Sequence, residues 1–182
     1  MRAGMRVLKN SDAGVETAFG GPVRRVLAID PGYDRLGIAV LEGDASKPVH
    51  VWSDCVIPPK GEKEMRLAVV YAATADAIQK YSPDALALET LFFSSNRSTA
   101  LGVAEARGAV LAAAGAAALY VQEYAPQQVK LAVTGYGASD KAAIARMIPH
   151  LITLPPKKRL DDELDAIALA IAGLADRASH RV

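Results

Sequence analysis

The chain has 182 residues, and 51% of them are apolar, which is enough for one core able to fold alone. A net charge of +1 gives only weak support for nucleic acid, since dedicated DNA binders are usually clearly basic, and a single cysteine, Cys55, excludes an intrachain disulfide and a thiolate metal cluster. No segment is continuously apolar over the length of a membrane span, and a cytoplasmic setting is expected.

Residues 1–23, "MRAGMRVLKNSDAGVETAFGGPV", are punctuated by Gly, Ser and Asp and lack the apolar run of a secretory signal. They are expected to form a flexible extension, with one domain over 24–178. "RRVLAID", 24–30, reads as a strand buried on both faces. Pro-Gly turn chemistry in "DPGYD" joins it to a second strand, 35–43, so the two form a hairpin. A third strand, 48–59, ends at Pro58-Pro59.

Residues 62–82 have helical apolar spacing and no internal Gly or Pro until Pro83 stops them. "DALALET", 84–90, is a short strand, and the polar loop "LFFSSNRST" follows. Small residues fill a helix over 100–116, and "LYVQEYAP", 119–126, is the last strand. A short helix, a Gly-rich turn and a second helix come next, with Ser139 as the expected N-cap of the latter. After the basic loop "LPPKKR", the helix 160–178 opens with acids, which the helix dipole favours. This order predicts an α/β fold, a five-stranded mixed sheet flanked by helices.

Two strands end in acids, Asp30 and Glu89, and strand ends are where α/β sheets place their sites. The last helix adds Asp162 and Asp165, three apart and therefore on one face, with Asp161 and Glu163 directed elsewhere. Taken singly, each acid reads as a turn or first-turn residue; Glu89, after "ALAL", is the hardest to read that way. Four carboxylates with no histidine or thiol suit magnesium, or manganese in its place. Two such ions support in-line displacement at phosphorus, so phosphodiester hydrolysis is the expected chemistry.

"LAIDPGYDRLGIAVLE", "LALETLFFSSNRSTALGVAEARGAVLAAA", "VQEYAPQQVKLAVTGYGASDKAAIARMI" and "LDDELDAIALAIA" resemble, in order, the segments of the RuvC-type Holliday-junction resolvases. The resemblance covers residues 24–173. It implies an RNase H-like fold, a homodimer, and magnesium-dependent paired nicking of four-way junction DNA in recombination and repair. It also implies a partner branch-migration complex made of a junction-binding tetramer and a hexameric motor.

Carried over position by position, the resemblance makes Asp30, Glu89, Asp162 and Asp165 the catalytic and metal-holding acids. Some members carry His where this chain has Asp162, and many have small residues where it has Glu163-Leu164. Lys130 and Lys141 match basic residues used near the site and along the DNA. Phe92 matches a ring that stacks at the junction point, and Arg97 and Arg107 flank the helix after Glu89. Arg107 has two readings, a DNA contact or an internal salt bridge.

Three other readings compete. They are an RNase H-like nuclease acting on RNA, a catalytically silent junction-binding protein, and an actin-like sugar kinase. The kinase needs a second domain for which this chain is too short.

Overall fold

In a computed structural model of the chain, residues 25–90 and 97–175 are described, with the side chains of 97–99 set aside. The expected extension, the ring of Phe92 and the side chain of Arg97 lie outside the described residues. Five strands form one sheet: β1 (Arg25–Pro31), β2 (Leu36–Asp44), β3 (Lys47–Val56), β4 (Ala85–Glu89) and β5 (Tyr120–Tyr124). Their order across the sheet is β3-β2-β1-β4-β5. The first three are antiparallel neighbours, whereas β4 and β5 add parallel to β1. This is the mixed α/β sheet expected from the sequence.

Alternation along the strands decides which helices cover which face. Leu27, Ile29, Ile38, Val40, Leu86 and Leu88 join one core with residues of α1 (Lys63–Tyr81) and α2 (Arg97–Ala116). Val26, Ala28, Ala39, Leu41 and Ala87 face the other way. They pack with α3 (Pro126–Thr134), α4 (Lys141–Leu151) and α5 (Asp161–Ala175). Small residues on that face let α5 lie close on the sheet. Near its end Gly173 abuts β1, where a Cβ would stand 2.8 Å from Val26 Cγ1 and 3.2 Å from Ala87 Cβ.

Element ends differ from the expected ones for local reasons. The α4 helix is capped by Asp140, whose side chain accepts from the Ala143 amide at 2.7 Å. Ser139, the expected cap, instead shares a 2.7 Å hydrogen bond with the Thr134 hydroxyl. The α2 helix begins at Arg97, three residues before its run of small side chains. Pro126 does not merely end β5; it opens α3, where its fixed φ suits the first turn. Among the described residues, no helix is long and apolar enough to cross a membrane.

Candidate active site

The period-2 pattern that sorts the core also sets the acids. Val26 and Ala28 face α5, so Asp30, two residues on, continues the same stripe at the end of β1. On β4, Ala87 faces α5 and Glu89 continues that stripe. β1 and β4 run parallel, with Ile29 beside Leu88, so both acids emerge at the same edge of the sheet. The α5 helix runs back over this face, with its first turn at that edge. Gly37 on β2 is the ladder partner of Asp30 and lies under the Asp162 main chain. A glycine inside a strand marks such a close backbone approach.

The four acids share one field. Burial pushes the Asp30 carboxyl up to about 7, and the charges of Asp165, Glu89 and Asp162 add to the rise. Glu89 is also raised, first by burial and then by Asp165, while Lys130 and Lys141 oppose the shift. Asp165 is raised mainly by burial, against its bond to Lys141. Like charges crowded in a half-buried notch disfavour one another's ionised forms.

Cations already stand on two of the acids. Lys141 Nζ donates to Asp165 Oδ2 at 2.6 Å, and Arg35 NH1 bridges Asp162 Oδ2 at 3.2 Å. Partial burial works to lower the Lys141 pKa, but the Asp165 bond and the nearby acids raise it. Among the described residues, no set of three or more acids, histidines or cysteines is arranged to hold a metal ion. The donor chemistry itself, carboxylates only and short of counter-charge, fits a hard divalent cation.

The basic residues separate by surroundings. Lys130 on α3 is half-buried and lies close enough to Glu89 to lower its pKa, and Lys141 opens α4 beside Asp165. Arg107 is turned inward. Its guanidinium donates to the Glu89 main-chain carbonyl at 3.0 Å and bridges Glu123 at 2.5 Å. With 9% of its side chain exposed, it ties α2 to the ends of β4 and β5.

Sequence reasoning did not single out Arg35 or Gly37. It also missed a buried node beside the acids. Glu163, 2% exposed, accepts from the Ser53 hydroxyl at 2.6 Å and from Arg159 Nε at 3.1 Å. The Lys157 ammonium stands 3.1 Å from the same oxygen. The i,i+4 spacing of Arg159 and Glu163 was the available signal. Ser53, far away in sequence, carried none.

The family model for crossover junction endodeoxyribonuclease RuvC matches residues 26–173. A curated RuvC from Moorella thermoacetica is 41% identical over 147 residues, 80% of this chain and 88% of that protein. One from Thermosipho melanesiensis is 42% identical over 148 residues, 80% of this chain and 94% of that protein. Among solved structures, a Thermus thermophilus RuvC in complex with a Holliday junction substrate superposes with a TM-score of 0.79 at 31% identity. It covers 86% of this chain and 96% of the other. The yeast mitochondrial resolvase Ydc2 shares the fold, with a TM-score of 0.66 at 13% identity over 86% of this chain and 82% of that one. With its matched span running from Val26 in β1 to Gly173 in α5, the chain belongs to the crossover junction endodeoxyribonuclease RuvC family.

Proposed function

We propose that this protein is a metal-dependent endonuclease that resolves four-way DNA junctions by paired, symmetric nicks. The observation that carries the reading is the meeting of Asp30 and Glu89 with the acidic first turn of α5, inside a family match that spans the whole sheet.

Asp30, Glu89, Asp162 and Asp165 are the residues to hold the cations, two of them and magnesium by preference, with manganese a close substitute. Bound there, the cations supply charge for activating the attacking water and for the oxygen that leaves. The protein supplies placement. Parallel strands fix two of the acids, and α5, seated on the sheet, fixes the other two.

Lys141, beside Asp165, brings positive charge to the scissile phosphate, where it stabilises the charge that builds in the transition state. Lys130 contributes to the same field from α3. Phe92 stacks on an unpaired base at the junction point, and Arg97 contacts the phosphate backbone. Two bound divalent cations raise the formal charge from +1 to about +5, which eases the approach of DNA.

A homodimer presents two such sites to two symmetric strands. It works in the cytoplasm with a branch-migration complex of a junction-binding tetramer and a hexameric motor. Residues 24–178 make up its single nuclease domain.

The test is cleavage of matched synthetic substrates, a four-way junction, a linear duplex and an RNA duplex, with magnesium, calcium or no metal. Paired nicks in the junction with magnesium, and binding without cutting with calcium, are expected. Preferential cutting of the RNA, or nicking independent of metal, overturns the reading. Analytical ultracentrifugation of the active species should show a dimer; a cutting monomer removes that part of it.

A further inference from the structure

The node around Glu163 is not used by the chemistry proposed above, yet it lies between two of its residues in sequence. Three donors converge on one oxygen, Glu163 Oε1: Ser53 from β3, and Lys157 and Arg159 from the basic loop before α5. The Ser53 hydroxyl has one proton and gives it to Glu163. His50, 2.8 Å from the same hydroxyl, therefore donates to it from Nε2. Lys157 also donates to the Ser53 carbonyl at 3.0 Å, and Arg159 to the Pro155 carbonyl at 2.9 Å. Strand, loop and helix thus meet at a single carboxylate.

Burying such a group is a poor way to gain stability, since well-packed apolar side chains serve as well or better. Directional bonds add to apolar packing a preference for one rotation of the helix about its axis. With Glu163 drawn toward β3, its neighbours at 162 and 165 project toward the ends of β1 and β4. The Asp162 main chain lies over Gly37, the ladder partner of Asp30, which places this turn at the end of β1. Gly37 sets how close the helix comes to the sheet, and the Glu163 node sets how it is turned.

We infer that Glu163 is a positioning residue, and that its bonds to Ser53, Arg159 and Lys157 hold the first turn of α5 in the rotation that points Asp162 and Asp165 into the cation site. It acts through those two acids and touches neither DNA nor cation. The inference rests on the reading of Asp162 and Asp165 as cation-holding residues.

The test uses manganese alone, its binding to the free protein followed by electron paramagnetic resonance. Ser53→Ala is the deciding variant because it removes one bond to Glu163 and changes no charge. Loss of a partner bonded directly to a metal ligand weakens metal affinity about tenfold or more; Ser53 acts one bond further back, so a weakening of up to about tenfold is expected for Ser53→Ala, with little change in metal-free melting temperature. Glu163→Gln should weaken binding further. In junction cleavage, the magnesium concentration for half-maximal rate should rise while the rate at saturating magnesium stays close to wild type.

Asp165→Asn serves as the reference. If it binds manganese like the wild type, the underlying site assignment falls. If Asp165→Asn loses manganese while Ser53→Ala binds it normally, the node serves folding alone and the inference is overturned. Should Glu163→Gln fail to fold, Ser53→Ala still decides the matter.

Discussion

Gly37 lies directly beneath the main chain of Asp162: any Cβ at position 37 would overlap the Asp162 carbonyl oxygen. Because Gly37 is also the ladder partner of Asp30, one missing side chain brings two of the four acids to the same point on the sheet. Gly37→Ala should lift the first turn of α5, destabilising the fold by about 1–3 kcal/mol and abolishing most junction cleavage. Gly173→Ala crowds Val26 and Ala87 at the other end of α5. It should lower stability while leaving the cutting rate per folded molecule near normal. Urea unfolding and single-turnover cleavage, run in parallel, distinguish the two effects.

Metal-free protein should lose stability as the pH rises from about 4 to about 7. The Asp30 carboxyl has an ordinary value of 3.8 and is pushed up to about 7 in the fold by burial and then by its acidic neighbours. Between those values the native state holds a proton that the unfolded chain has released, so the contribution present at low pH fades as Asp30 ionises. Raised Glu89 and Asp165 act in the same direction. Thermal melts in chelator should show this fall, and Asp30→Asn should flatten it. Adding magnesium at neutral pH should raise the melting temperature of the wild type more than that of the variant.

Lys141→Ala should reduce cleavage about a hundredfold, in line with the removal of one group that stabilises transition-state charge, with a smaller effect on junction affinity. The same change frees Asp165 of its 2.6 Å ion pair and takes away a charge that lowers the Glu89 pKa. Lys130→Ala removes a charge that lowers the Glu89 pKa but leaves the Lys141–Asp165 pair intact, and should cost less. Rates at saturating protein, compared with dissociation constants measured in calcium, separate the two contributions.

Arg107→Ala should act on the fold. It leaves the Glu89 carbonyl without its donor, worth about 1–3 kcal/mol, while Glu123, half exposed, remains solvated. Junction binding in calcium should hold for the folded fraction. Arg107→Lys keeps the charge but loses the fork that reaches Glu89 and Glu123 together, so it should rescue only in part.

The strands and the acids at their ends were legible in the sequence because both signals are local. "VLAI" and "ALAL" read as buried strands, and Asp30 and Glu89 follow them directly. The single face shared by Asp162 and Asp165 follows from helix spacing alone. What was not legible depends on contacts between distant segments. Nothing near Ser53 in sequence points to Glu163, and Gly37 among apolar residues gives no hint that a helix lies over it. Arg107 had two readings, and only the approach of α2 to the ends of β4 and β5 shows where its guanidinium goes. The α4 cap was displaced by one residue because Ser139 found a competing partner in Thr134.

Most directly, the account stands on Asp30 as a catalytic carboxylate. The measurement is cleavage of a synthetic four-way junction in magnesium by wild type and Asp30→Asn, with junction binding by both measured in calcium. The account predicts paired nicks by the wild type, and a variant that binds the junction as tightly but does not cut it. Normal cutting by Asp30→Asn would contradict it.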